Sequence, residues 1–372
     1  MKAYFFSTVA PLLQEPGVID LGVGSPDLPP PPKVIEALQR VSGEPGVHGY
    51  APHAGMFQLR VAFSEWMKNR FGVKVDAESE VLPLLGSKEG IVHFSMAVLK
   101  PGDIVLVPNP GYVPFSFGAK VAQAKVVEFD LLSENNWLPD IKQIEELTKR
   151  CRPKLLWLNY PNNPTGAVMD MELLQKLVEL ARQEEFVIGY DTPYCELGFD
   201  GYQAHSILEI TGAKEVAIEF HSFSKTYHMA GWRVGMAIGN SGLIKKLLEV
   251  KSNIDSGMFK PVQLAAVEAL NTPKGWLVER KQILRRRRDA VVNLAKELGW
   301  QPVVPKAGLY VWAKLPTVIK NDREFCLELL KAKGVFITPG SVFGSNGGGW
   351  VRIALTQSEE KIIEAGKRMV PS

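Results

Sequence analysis

Between residues 104 and 238, short apolar runs alternate with longer amphipathic ones, and this alternation is the strongest constraint on the fold. Residues 104–107, 125–129, 155–159, 186–190, 216–221 and 234–238 each have the length and content of a strand. Residues 171–184 place Leu173, Leu174, Leu177, Val178 and Ala181 at helical spacing. Strands separated by helices return by crossover, which predicts a mostly parallel α/β sheet with helices on both faces. Ligands of such sheets bind beyond the carboxyl ends of the strands. The polar residues that follow each run are therefore the candidates for chemistry.

The two ends of the chain have a different texture. Residues 26–32 form a proline-rich entry loop. From about residue 275 a long charged helix is expected, then 308–315, a helix near 324–333 and a last strand at 350–355. A chain of 372 residues exceeds one ordinary core. The expected division is an arm at 1–15, a small α+β domain from 16–45 with 270–372, and a large domain at 46–269.

Charge and cysteine usage narrow the function classes. A net charge of +3 suits no strongly polyanionic partner. The run Arg285, Arg286, Arg287, Arg288 reads as a solvated, ion-paired stretch of helix, because Glu279 and Asp289 flank it, so no nucleic acid is expected. Cys151, Cys195 and Cys326 are scattered, which predicts free thiols, a cytoplasmic location, and no metal site. No apolar run approaches the ~20 residues of a membrane span. Residues 1–13 are mildly apolar but interrupted by Ser7, Thr8 and Pro11, and are expected to be an arm against a neighbouring subunit, not a signal peptide.

Four stretches carry candidate chemistry. In 222–235, Ser222, Ser224, Lys225 and Arg233 occupy a polar loop between two strands. A lysine desolvated at a strand end becomes a nucleophile towards an aldehyde, and the hydroxyls and guanidinium suit a phosphate; a solvated loop lysine is the plainer reading. Asp191 ends an apolar strand, where a lone carboxylate is costly and needs a cationic partner. A protonated pyridine nitrogen and a structural arginine both qualify. Asn163 lies in a turn-rich loop, 159–166, and Gly86, Ser87 and Lys88 form a small-residue turn opening a helix at 91–99, a geometry that binds phosphate. Tyr112 and Arg352 fall near the ends of further strands, expected in the same sheet.

In this order, Ser-x-Ser-Lys at 222–225, Gly-Trp-Arg-x-Gly at 231–235 and Asn-Pro-Thr-Gly at 163–166 resemble the class I/II aminotransferases, pyridoxal-5′-phosphate (PLP) enzymes of fold type I. Gly-Ser-Lys-Glu-Gly-Ile at 86–91, Asn-Pro-Gly-Tyr at 109–112 and Ser-Lys-Thr-Tyr at 224–227 are most similar to the LL-diaminopimelate aminotransferase subgroup, while His228 and Ala230 depart from its pattern.

The resemblance implies a seven-stranded sheet in the large domain and a Schiff base to Lys225, which also moves the proton. It implies Asp191 on the pyridinium nitrogen, Tyr194 and Asn163 on the ring 3′-oxygen, and Tyr112 on the ring face. Gly86, Ser87, Lys88, Ser222, Ser224 and Arg233 would hold the phosphate, with Tyr50 reaching the site of a partner in a homodimer with shared active sites. Arg352 would take the substrate carboxylate, with Asn163 and Gly24 beside the substrate.

The implied activity moves an amino group between an L-amino acid and a 2-oxo acid, of LL-diaminopimelate/glutamate or aspartate/alanine type. A PLP-dependent C–S β-lyase is the alternative on the same residues. A binding protein that keeps the fold without turnover is opposed by the complete polar set. A nicotinamide dehydrogenase is opposed by the missing glycine fingerprint.

Overall fold

The computed structural model describes residues 5–370. Its centre is a seven-stranded sheet in the spatial order Val81–Leu84, Gly235–Gly239, Ala217–Ser222, Val187–Asp191, Leu155–Asn159, Ile104–Asn109 and Lys125–Asp130. Gly235–Gly239 runs against both its neighbours. The other adjacent pairs are parallel. Six of these strands coincide with the runs read from sequence, their ends shifted by no more than two residues. Val81–Leu84 is the seventh, too short to stand out beside its turn.

The strand Leu155–Asn159 shows why these runs are uninterrupted. Leu156 and Leu158 join a core with Leu177, Val178 and Ile188. Leu155 and Trp157 join another with Phe94, Phe115 and Phe220. Successive side chains face opposite ways, so a strand covered on both faces must be apolar throughout. Trp157 stacks on Phe115 with centroids 4.8 Å apart. Its ring crosses Gly189, where any Cβ would strike it, so the glycine serves a close approach. The helix Met171–Gln183 begins where the Asp170 carboxylate accepts from the Leu173 amide at 2.9 Å, which satisfies an otherwise orphaned donor.

A second, antiparallel sheet holds Thr338–Pro339, Trp350–Ala354, Tyr310–Lys314 and Gln301–Val303 in that order. Ile19–Asp20 pairs in parallel with Val335–Phe336 and so ties the two ends of the chain together. The helix Pro32–Ser42 turns the other way and places Val34 and Ala37 in the core of the central sheet.

One expectation changes. The arginine run lies within the helix Lys274–Glu297 and is solvated on one side only. Arg287 and Arg288 are buried; Arg287 grips Asp27 with bonds of 2.7 and 2.8 Å, and Arg288 pairs with Asp200 and Asp289. Four consecutive helical residues cover the full circumference, so they cannot all face water. Of the arm expected against a neighbouring subunit, the described part also meets its own chain. Val9 of the helix Phe5–Val9 is buried with Leu330 and Phe336, an apolar hollow already within reach. Residues 1–4 of that arm lie outside the described residues.

Candidate active site

The chain order creates the crevice. From Ile104–Asn109 the sheet grows outward to Lys125–Asp130, then returns to Leu155–Asn159 and continues the other way. Loops at such a reversal diverge and leave space between them. A cavity of about 520 Å³ lies there, and Ser87, Lys88, Tyr112, Asn163, Asp191, Tyr194, Ser222, Ser224, Lys225, Arg233, Arg352 and Gly24 all line it. Gly86 does not line it but precedes Ser87 and lies against the Arg233 guanidinium. Tyr50 is 86% exposed and lies outside the cavity of its own chain.

Lys225 does not lie in an open loop. It occupies one helical turn, Phe223–Thr226, whose first residues are fixed by the Ser222 hydroxyl accepting from the Ser224 amide at 3.3 Å. Buried Arg280 holds the lysine's carbonyl at 3.1 Å, and the amine donates to the Gly24 carbonyl. Burial pushes the Lys225 amine below the ordinary lysine range, and the positive charges of Arg352, Arg233 and Lys88 add to this against an opposing contribution from Tyr310.

Asp191 is the last residue of its strand. Asn159, at the matching position one strand over, donates to its Oδ2 at 3.1 Å and to its carbonyl at 2.9 Å. Oδ1 is buried with no partner. Burial alone pushes the carboxyl up to about 8. No arginine pairs with it among the described residues, so the structural ion pair weighed from sequence is absent.

The opposite end of the cavity is cationic. Gly86 has φ 84°, and a Cβ there would collide with the Arg233 guanidinium. That guanidinium donates to the carbonyls of Ala230 at 2.8 Å and Leu85 at 3.2 Å. Burial and the charge of Arg233 push the Lys88 amine down. The turn is braced from below: the Leu85 amide donates to Glu89 Oε2 at 3.1 Å, and buried Lys251 bridges Glu89 Oε1 at 3.2 Å and Asp255 at 2.8 Å.

Arg352, expected on the central sheet, enters instead from the second one, on the strand Trp350–Ala354. Its Nη1 donates to Asn163 Oδ1 and its Nη2 to the Gly22 carbonyl, both at 2.7 Å. Three rings enclose it: Tyr310 at 4.0 Å, Phe343 at 4.7 Å and Phe6 at 5.6 Å. Tyr310, Phe343, Phe6 and Asn159 were not singled out from sequence. Tyr310 stands two residues from Trp312, the cross-strand partner of Arg352, and only that register brings the ring beneath the guanidinium.

The polar groups of this site match PLP at both ends. A buried carboxyl with one oxygen unpartnered suits a cationic ring nitrogen, and a cluster of donors and cations suits a phosphate dianion. A desolvated lysine lies between them. Fold and site together define a fold-type-I PLP enzyme.

The comparisons agree. The pattern of the family "Aminotransferase class I and II" matches residues 16–368, and the chain belongs to that family. It is 43% identical over 352 residues to an LL-diaminopimelate aminotransferase of Halothermothrix orenii, covering 95% of this chain and 90% of that one. Substrate-bound BacF from Bacillus subtilis superposes with a TM-score of 0.95 at 38% identity, covering 99% of this chain and 94% of that one. A probable N-succinyldiaminopimelate aminotransferase from Thermus thermophilus gives 0.91 at 36% identity, covering 98% of both. The protein is a PLP-dependent aminotransferase acting on small molecules.

Proposed function

We propose that this cavity transfers the amino group of an L-amino acid to a 2-oxo acid, with Lys225 as its proton carrier. The observation that carries this reading is the unpartnered Asp191 Oδ1 in one cavity with Lys225 and Arg352. Asp191 would hold the cofactor's ring nitrogen, Asn163 and Tyr194 its 3′-oxygen and Tyr112 its face. Gly86, Ser87, Lys88, Ser222, Ser224 and Arg233 would hold its phosphate, and Lys225 its aldehyde carbon. When bound, the cofactor supplies the electron sink for the α-carbon.

The residues of the chain do the rest. Arg352 grips the substrate carboxylate with N–H groups not spent on Asn163 and Gly22. That grip fixes the α-carbon beside Lys225. Lys225 Nζ, which burial makes less ready to hold a proton than an ordinary lysine, takes the α-proton; such transfer contributes ~10²–10⁴-fold. Gly24 closes the backbone over the site.

The named relatives suggest an LL-diaminopimelate/glutamate pair, with aspartate/alanine the other candidate. Two copies would share sites, Tyr50 of each reaching the other's phosphate, in keeping with its exposure. The ends of the chain, 16–45 and 270–372, would form the smaller domain beside 46–269, supported by the pairing of Ile19 with Val335; the helix Pro32–Ser42 is the exception. Three unpaired cysteines suit the cytoplasm. No helix among the described residues is long and apolar enough to cross a membrane.

The test is the visible spectrum of the PLP-loaded protein titrated with LL-diaminopimelate, glutamate, alanine and aspartate. A cofactor band that one donor converts, and an oxo acid restores, establishes the activity and the donor. A band that no donor changes overturns it. Ammonia and pyruvate released from cystathionine without an oxo acid would mark elimination instead.

A further inference from the structure

Tyr310 touches more of this site than any role assigned so far explains. Its ring centroid lies 4.0 Å from the Arg352 guanidinium carbon. Its hydroxyl receives the Tyr194 hydroxyl at 3.3 Å, with the two rings set edge to face. A Cβ on Gly24 would run into that same hydroxyl. The phenol therefore lies flush against the backbone whose carbonyl accepts from Lys225. One side chain thus meets the carboxylate anchor, a proposed cofactor contact and the turn that steadies the lysine.

We propose that Tyr310 is a positioning residue with two separable parts: its ring fixes the plane of Arg352, and its hydroxyl fixes the Tyr194 hydroxyl. The ring matters because the π face attracts a guanidinium and holds it flat. Arg352 Nε is buried with no acceptor, so no hydrogen bond at that edge fixes the plane and the packed rings are left to do so. The hydroxyl matters because each phenol has one proton to give. Tyr194 spends its own on Tyr310 here; when a better acceptor enters the cavity, Tyr194 turns its proton to it and Tyr310 donates in turn. The surroundings support that role. Burial alone would push Tyr310 up, but Arg352, Lys225 and the bond from Tyr194 together bring it below the ordinary phenol range. Tyr194 is pushed well above it, by burial first and by Tyr310 next.

The proposal rests on Arg352 as the carboxylate anchor, and the test separates the two. Tyr310→Phe keeps the ring and removes the hydroxyl; Tyr310→Leu removes both. With the PLP-loaded protein and whichever amino acid converts the wild-type band, Tyr310→Phe should slow conversion about fivefold, the worth of one hydrogen bond, with KM within about twofold. Tyr310→Leu should also raise KM about fivefold. In the cofactor-free protein, tyrosinate absorbance against pH should lose its earliest step in Tyr310→Phe. An unchanged conversion rate in Tyr310→Phe, equal KM in both variants, or an early tyrosinate that survives in Tyr310→Phe overturns the proposal. A wild-type band that no amino acid converts sinks the underlying reading, and the tyrosinate titration still tests the phenol pair by itself.

Discussion

Arg352 and Asn163 stand 189 residues apart in sequence, yet Nη1 of one donates to Oδ1 of the other at 2.7 Å. The bond joins the second sheet to the loop after a central strand. With the Nη2 bond to the Gly22 carbonyl, it leaves each terminal guanidinium nitrogen with one N–H for a substrate while the guanidinium itself stays fixed.

Removing that guanidinium should be costly. Arg352→Ala leaves Asn163 Oδ1 and the Gly22 carbonyl without their donor. The expected loss in substrate binding is ~2–5 kcal/mol. It would be read as a rise in KM for the amino acid; an unchanged KM would show that the carboxylate docks elsewhere.

Lys225→Ala removes the amine and keeps the helical turn, because Ser222 and Arg280 hold its backbone. The cofactor band of the wild type and transamination should both disappear. Full activity in this variant would refute the proton carrier.

Asp191 makes the cofactor-free protein sensitive to pH. Its carboxyl is pushed up to about 8 by burial, against ~3.9 in an unfolded chain. The folded chain therefore keeps a proton that the unfolded chain has already released. Stability is fully present below pH ~4 and falls as pH rises towards about 8. Asp191→Asn carries no such charge and should be the more stable apoprotein at pH ~8, by on the order of a few kcal/mol. Thermal melts of both cofactor-free proteins at acid and alkaline pH check this. A parallel pH dependence in the two would remove the carboxyl as the cause.

Lys251 neutralises two carboxylates beneath the phosphate turn. Lys251→Ala leaves Glu89 and Asp255 facing each other and frees Glu89 from its place under Leu85. Breaking a buried pair on one side costs ~3–5 kcal/mol. Both a lower denaturation midpoint and weaker PLP binding are expected; a variant with unchanged PLP affinity would separate this network from the phosphate site.

The sequence by itself determined six strands of the central sheet, because a strand buried on both faces has to be apolar along its length, and residues 155–158 and 187–190 are, each run then ending on a polar residue. It also determined which polar residues follow those strands, Asp191, Asn163, Lys225 and Arg233 among them. Tertiary structure alone decided what surrounds them. Tyr310 reaches Arg352 through strand register, Phe6 and Phe343 enter from distant segments, and Arg287 and Arg288 turn inward because one side of their helix faces the core. Local pattern records what each segment must bury; it carries no information about which distant segment arrives to cover it.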